Sequence, residues 1–191
     1  MKYELDKILN TVINDDCLNV LKDLPDKCVD LVLTDPPYGI RADENPVTGG
    51  FGYNKTSWDR ERPKKEIFDE ILRISKNQII WGGNYFIDHI KIPTMGWLVW
   101  DKETGEGFSL ADGELAWTSF DKAMRIFKQN RANFKSKDGC HHPTQKSLEL
   151  IKFCIQYADR SFLREQALKR KIKISDILRN LITHFKNAKE D

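Results

Sequence analysis

Apolar residues along the chain fall into two patterns. Short, nearly continuous runs alternate with longer segments whose apolar positions return every three or four residues, the signatures of buried strands and one-sided helices. Thr11-Val12-Ile13 reads as a short strand, and Asp15 or Asp16 can cap a helix carrying Leu18, Leu21 and Leu24. Val29 to Thr34 is a β-branched apolar run, which predicts a strand buried on both faces. Pro63 then opens a helix with Ile67, Phe68, Ile71, Leu72 and Ile74 on one side, proline being tolerated in a first turn. Gln78 to Trp81 returns as a strand, Asn84 to Ile90 as a short helix, and Trp97 to Asp101 as a third core strand. Segments 113–119 and 123–128 are expected to pair antiparallel as an edge hairpin. Ser147 starts a helix whose apolar side is Leu150, Ile151, Cys154, Ile155 and Ala158.

Strands alternating with helices predict an α/β fold with a parallel or mixed sheet, in which ligands bind beyond the carboxyl ends of the strands. The turns at 35–38 and at Gly82-Gly83-Asn84 both follow predicted strands, so both should lie on that rim. Between them, residues 39–62 hold glycines, Asn45-Pro46 and few aliphatics, a loop of a length uncommon unless functional or disordered. Beyond residue 158 the pattern turns helical, with Phe162, Leu163 and Leu168, then Ile177, Leu178, Leu181, Ile182 and Phe185 at spacings of one, three and four. The chain thus divides into a body, 1–158, and a helical tail, 159–191.

Composition narrows the class only slightly. The chain has 191 residues and 40% apolar content, enough for one domain with a core. No apolar run approaches the ~20 residues that span a bilayer, and the N-terminus lacks a signal-peptide pattern. Cys17, Cys28, Cys140 and Cys154 form no CxxC pair, which suits reduced thiols in a cytoplasmic protein. Cys140-His141-His142 does not predict a metal site, because adjacent side chains diverge and no second ligand cluster exists. The net charge of +2 is uneven: Arg160 to Asp191 hold nine Lys/Arg and four Asp/Glu, a net of +5, which leaves −3 for residues 1–159. A phosphate track must therefore be local; the candidates are Lys128, Arg131, Lys135 and Lys137, which are preferred, and Arg60, Arg62, Lys64 and Lys65.

The chemistry is concentrated in Thr34-Asp35-Pro36-Pro37-Tyr38, at the exit of the Val29 strand. The two prolines fix φ near −65° and remove two N–H donors, leaving carbonyls free to accept from a ligand. Asp35 adds a third acceptor and Tyr38 a flat ring. This combination suits a planar group with an exocyclic NH₂, whose hydrogens the acceptors hold while the ring stacks.

Further motifs accompany it: Ile13-Asn14-Asp15-Asp16-Cys17-Leu18, Trp81-Gly82-Gly83-Asn84-Tyr85-Phe86, Trp97-Leu98-Val99-Trp100-Asp101-Lys102, Glu114-Leu115-Ala116-Trp117-Thr118-Ser119 and His142-Pro143-Thr144-Gln145-Lys146. Together, over roughly residues 10–158, they resemble the DNA amino-methyltransferases (adenine-N6 and cytosine-N4) in the permuted order, with the catalytic motif N-terminal. The resemblance implies an incomplete Rossmann-like methyltransferase sheet, mostly parallel, and methyl transfer from S-adenosylmethionine to a base flipped out of double-stranded DNA, in the manner of restriction-modification enzymes. It places Asp35, Pro36, Pro37 and Tyr38 at the reacting amine, with Tyr38 as stacking partner. It places Asp16, Asp35, His142, Thr144, Gln145 and Lys146 around the cofactor. An acid at the first motif position resembles the adenine-N6 enzymes; a glutamine- or RNA-methylating relative would usually carry Asn there.

Two departures stand out. Ser147 replaces the usual Pro after Lys146. The family's C-terminal Phe-x-Gly-x-Gly cofactor loop has no counterpart, since no glycine follows Gly139 and no proline follows Pro143. The resemblance therefore admits an alternative: a truncated, catalytically impaired relative acting as a nucleic-acid-binding or interaction module. It also admits a homodimer or a second chain that completes the sheet.

Overall fold

A computed structural model describes residues 5–42, 44, 58–104, 111–130 and 144–158 of the chain. The helical tail foreseen for 159–191 lies outside them, as do His142, Arg131, Lys135 and Lys137.

Helix α1 (Leu5–Ile8) ends where Thr11 folds back, its N–H and Oγ1 both donating to Ile8 O. The strand foreseen at Thr11–Ile13 does not form. Val12 is half exposed and no strand lies beside it, and β-branched residues make a strand only where a ladder partner exists. Helix α2 (Cys17–Asp23) starts at Asp16, whose carboxylate accepts from Leu18 N at 2.8 Å. Strand β1 (Val29–Thr34) follows, then helix α3 (Lys65–Ile74), which buries Phe68, Ile71 and Ile74. Strand β2 (Ser75–Trp81) begins without a loop after α3. A single 3₁₀ turn at Gly83–Tyr85 leads into helix α4 (Ile87–Ile90). Strands β3 (Leu98–Asp101), β4 (Gly113–Thr118) and β5 (Arg125–Lys128) precede the last described helix, α5 (Leu148–Ala158).

The five strands form one open sheet in the order β1-β2-β4-β3-β5. The pairs β1–β2 and β3–β5 are parallel, and β4 runs antiparallel to both its neighbours. Four strands therefore share a direction, as foreseen for a mostly parallel Rossmann-like sheet. The antiparallel strand is interior, not at the edge, and segments 113–119 and 123–128 do not pair. Strand β3 lies between them and makes the hairpin with β4 in the register Leu98↔Ala116 to Asp101↔Gly113. Exposed Met124 and Ile126 explain the difference, since a strand as exposed as β5 fits the sheet edge and the apolar β3 does not.

Alternation along the strands divides the core into two faces. Ile79, Trp81, Leu98, Trp100 and Ala116 pack with Leu150 and Cys154 of α5 on one side. Ile80 and Trp117 pack with Phe68, Ile71, Phe86 and Ile90 on the other. Strand β1 contributes Leu31 and Leu33 to the first face and Val32 to the second, yet all six of its residues are only half buried. It lies at the edge of the sheet, so covering both faces does not bury it as the apolar run suggested. No helix among the described residues is long and apolar enough to cross a membrane.

Candidate active site

Strand directions place the carboxyl ends of β1, β2, β3 and β5 on one rim, joined there by the start of the reversed β4. Asp35, Gly82, Lys102, Glu114 and Lys128 consequently gather at one side of the sheet. Helix α5 adds the remaining group. Ser147 Oγ accepts from Leu150 N at 3.1 Å and so caps its start, which accounts locally for a serine where proline is usual. With Leu150 and Cys154 seated in the core, the residue before the cap, Lys146, is delivered to the rim.

Lys146 is the hub of the site. Its side chain is only 7% exposed, and its ammonium donates to Asp35 Oδ2 at 2.9 Å, to Glu114 Oε2 at 2.6 Å and to Tyr38 Oη at 3.5 Å. All three hydrogens of the ammonium are thereby directed. The rings of Trp81, Trp100 and Tyr38 lie 5.3, 5.9 and 5.9 Å away, within cation–π range. The Tyr38 hydroxyl donates to Asp35 Oδ1 at 2.7 Å, with Glu114 Oε2 at 3.2 Å. The other oxygen of Glu114 accepts from Lys102 at 2.9 Å. Two ammoniums thus balance two carboxylates.

Electrostatics favour the fully charged state. Burial alone would raise the Glu114 pKa, but the Lys146 and Lys102 ammoniums outweigh it and hold the carboxyl at about 2. Burial pulls the Lys146 pKa down, and Asp35 and Glu114 more than reverse that, leaving it above the ordinary lysine value. For Tyr38, burial and the same two carboxylates act together and push the phenol well above its usual range, so it stays a hydroxyl donor.

The platform is also held from behind. Asp59, 1% exposed, accepts from Tyr38 N at 2.7 Å and Gly39 N at 2.9 Å through Oδ1, and from Ala42 N at 2.8 Å through Oδ2. The Tyr38 ring stacks on Tyr85 at 4.9 Å and meets the edge of Phe86 at 6.1 Å. Gly82 closes this seat: its φ is +71°, and a Cβ there would lie 2.2 Å from Tyr38 Cε1. Gly82→Ala should destabilise the protein by about 2–4 kcal/mol, combining left-handed strain with overpacking. Urea unfolding reads this directly, and a loss below about 0.5 kcal/mol would show that Tyr38 does not need the glycine.

Of the residues singled out in the sequence, Asp35, Tyr38 and Lys146 meet, and Pro36 and Pro37 link the first two. Thr144 and Gln145 sit half buried just ahead of Lys146. Asp16 uses its carboxylate as the α2 cap. Lys128 is 65% exposed at the end of β5, 3.5 Å from Asp101. Sequence reading passed over Glu114, Lys102 and Asp59. The available signal was a charge next to tryptophan-containing core strands, in Val99-Trp100-Asp101-Lys102 and Glu114-Leu115-Ala116-Trp117. Among the described residues, no group of His, Cys, Asp and Glu could hold a metal ion.

Curated relatives carry the same kind of assignment. The chain is 38% identical over 73 residues to the type II methyltransferase M.MjaVI of Methanocaldococcus jannaschii, covering 35% of this chain and 37% of that protein. It is 51% identical over 37 residues to M.BglII of Bacillus subtilis, covering 19% of this chain and 10% of that one. Against M.HinfI of Haemophilus influenzae it is 37% identical over 43 residues, 22% of this chain and 12% of the relative. Over these stretches the chain is similar to type II DNA methyltransferases. Its matches span well under half the length of each of these methyltransferases. No family model matches the chain. A solved structure of a Thermus thermophilus protein, provisionally described as a DNA modification methylase, aligns with a TM-score of 0.35 at 14% identity. It covers 65% of this chain and 57% of its own, a likeness too weak to add to the assignment.

Proposed function

We propose that the chain transfers a methyl group from S-adenosylmethionine to the exocyclic amine of a base flipped out of double-stranded DNA, with adenine N6 as the target. The observation that carries this is the exposed Asp35, held by one donor on each oxygen at the rim where the parallel strands end. A carboxylate has about four acceptor positions, so one on each oxygen stays available to an amine.

An exocyclic amine is a weak nucleophile because its lone pair is shared with the ring. Donating its hydrogens to Asp35 and to the Pro36 carbonyl localises that lone pair, and positive charge developing on the nitrogen then lies against a carboxylate. Flipping brings the base to the platform, with Tyr38 as the aromatic neighbour. When bound, S-adenosylmethionine supplies an electrophilic methyl on a sulfonium cation. The rim's exposed carboxylate suits such a cation, and Asp16, Asp35, His142, Thr144, Gln145 and Lys146 are the residues assigned to hold it. Lys146 would act through Asp35, since its hydrogens are already directed inward. Lys128, Arg131, Lys135 and Lys137 are assigned to DNA phosphates.

A second reading is a catalytically impaired relative that binds nucleic acid or another chain. The Asp35–Lys146 ion pair favours it, since it closes part of the acceptor set, and so does the half-buried outer side of β1, where a second chain could complete the sheet. One experiment separates the two: the chain is incubated with DNA of mixed sequence and tritiated S-adenosylmethionine, then the nucleosides are analysed. Label in N6-methyladenine supports the first reading and label in N4-methylcytosine overturns the adenine assignment. No label, together with no heat on titration with S-adenosylmethionine, favours the second.

A further inference from the structure

We propose that Glu114 is a positioning residue for the platform: by drawing the Lys146 ammonium toward itself, it keeps the Asp35 carboxylate aimed at the rim and strong as an acceptor. The consequence for catalysis rests on the methyl-transfer reading; the linkage itself rests on geometry.

The argument starts from distance. Lys146 Nζ lies 2.6 Å from Glu114 and 2.9 Å from Asp35, so Glu114 holds the nearer share of a nearly buried charge. Charge-assisted hydrogen bonds shorten and strengthen as their partners desolvate. Without Glu114 the ammonium would settle on Asp35 alone, neutralising the one carboxylate the amine needs. Lys102 completes the device. Its side chain is 10% exposed, and its ammonium fixes the second oxygen of Glu114 at 2.9 Å while lying 5.4 Å from the Trp100 ring. Glu114 therefore cannot swing away from Lys146 without abandoning Lys102.

Each element packed on Lys146 contributes a recognisable neighbour. Strand β1 leads into Asp35 and Tyr38, β4 provides Glu114, β2 and β3 the Trp81 and Trp100 rings, and α5 the Cys154 thiol, which feels the Lys146 charge. Among these and Lys102, Glu114 is the group whose removal leaves the buried set with an excess positive charge while sparing the reacting carboxylate. Asp35 touches the substrate in this scheme; Glu114 acts on it through Lys146.

The test has two arms on the full chain, both using Glu114→Gln, with near-UV circular dichroism to verify that the tryptophan environment is kept. In the first, lysines are acetylated with an N-hydroxysuccinimide ester and followed by mass spectrometry. Loss of the Glu114 charge should raise the Lys146 labelling rate about tenfold, because one of the two carboxylates that keep the amine protonated is gone. Glu114→Asp, with the charge kept on a shorter stem, should fall between. An unchanged Lys146 rate in Glu114→Gln overturns the inference, whether or not the protein is active. If Glu114→Gln does not fold, Glu114→Asp carries the comparison alone, with Lys146 labelling rising above that of the unsubstituted chain; no rise overturns the inference. In the second arm, kcat for methyl transfer should fall about a hundredfold with KM for DNA within twofold. A change confined to KM overturns the positioning role. Absence of any transfer by the unsubstituted chain counts against the methyl-transfer reading, and the labelling arm still decides the linkage.

Discussion

If the chain transfers methyl groups as proposed, Asp35→Ala should abolish that transfer, with kcat/KM falling about a thousandfold or more, while the fold survives. The first half follows from what the carboxylate does. It is the charged acceptor placed where the amine's hydrogens and its developing positive charge would lie, and removing one such preorganised group typically costs about 10²–10³ in rate. Asp35 also orients the Tyr38 hydroxyl at 2.7 Å, so its loss disturbs both partners of the base. The second half follows from exposure. The Asp35 side chain is 31% exposed, and Lys146 keeps Glu114 as a counter-ion when Asp35 is gone. Stability should fall by only about 1 kcal/mol. Tritium incorporation into DNA measures the first and urea unfolding the second. A variant within tenfold of the parent rate would remove Asp35 from the reaction, and Asp35→Asn, close in shape, separates the charge from the packing.

Lys146→Met gives the opposite balance, with a large loss of stability. The ammonium is 7% exposed and satisfies two carboxylates and a phenol. Its removal strands Glu114, 20% exposed, with Lys102 alone, and leaves Asp35 and Glu114 facing a gap lined by aromatic rings. Breaking a buried ion pair from one side costs about 3–5 kcal/mol. The pH dependence should change with it. Glu114 in the folded protein has a pKa lowered from 4.5 to about 2, so the stability it confers is present above pH ~4.5 and is lost as pH falls toward 2. In Lys146→Met most of that acid-side slope should disappear, since the largest favourable charge on Glu114 is gone. Unfolding free energies between pH 2 and 6 measure the slope. A variant retaining the full slope would show that Lys102 alone sets the ionisation of Glu114.

The sheet was legible because its strands are dense in tryptophan, isoleucine and valine and separated by turn residues. The helix caps were legible for a similar reason: Asp16 and Ser147 sit directly before apolar periodicity, and each caps the helix foreseen for it. Strand order was not legible. That β3 rather than β5 pairs with β4 depends on which strand can stand exposure at an edge, a property of the assembled sheet. The Thr11–Ile13 expectation failed on the same ground, a strand-like sequence without a neighbour. In the site, Asp35, Tyr38 and Lys146 could be found because each belongs to a compact motif. Glu114 and Lys102 also lie in recognised motifs but stand there as single charges beside core strands, whose partners appear only when folding brings Lys146, 32 residues from Glu114, to the same rim. Asp59 lies outside every motif, 21 residues from Tyr38. Only folding turns those separations into contacts.

Asp59 carries a consequence of its own. The peptide groups just after the two prolines belong to no ladder, and the strand that leads into them is the outermost of the sheet. Their stiffness is borrowed from one sequestered acid that grips three amide hydrogens at once. The backbone of the turn after Pro37 is in this sense hung on one carboxylate, while the Tyr38 ring keeps a separate seat against Tyr85 and Gly82.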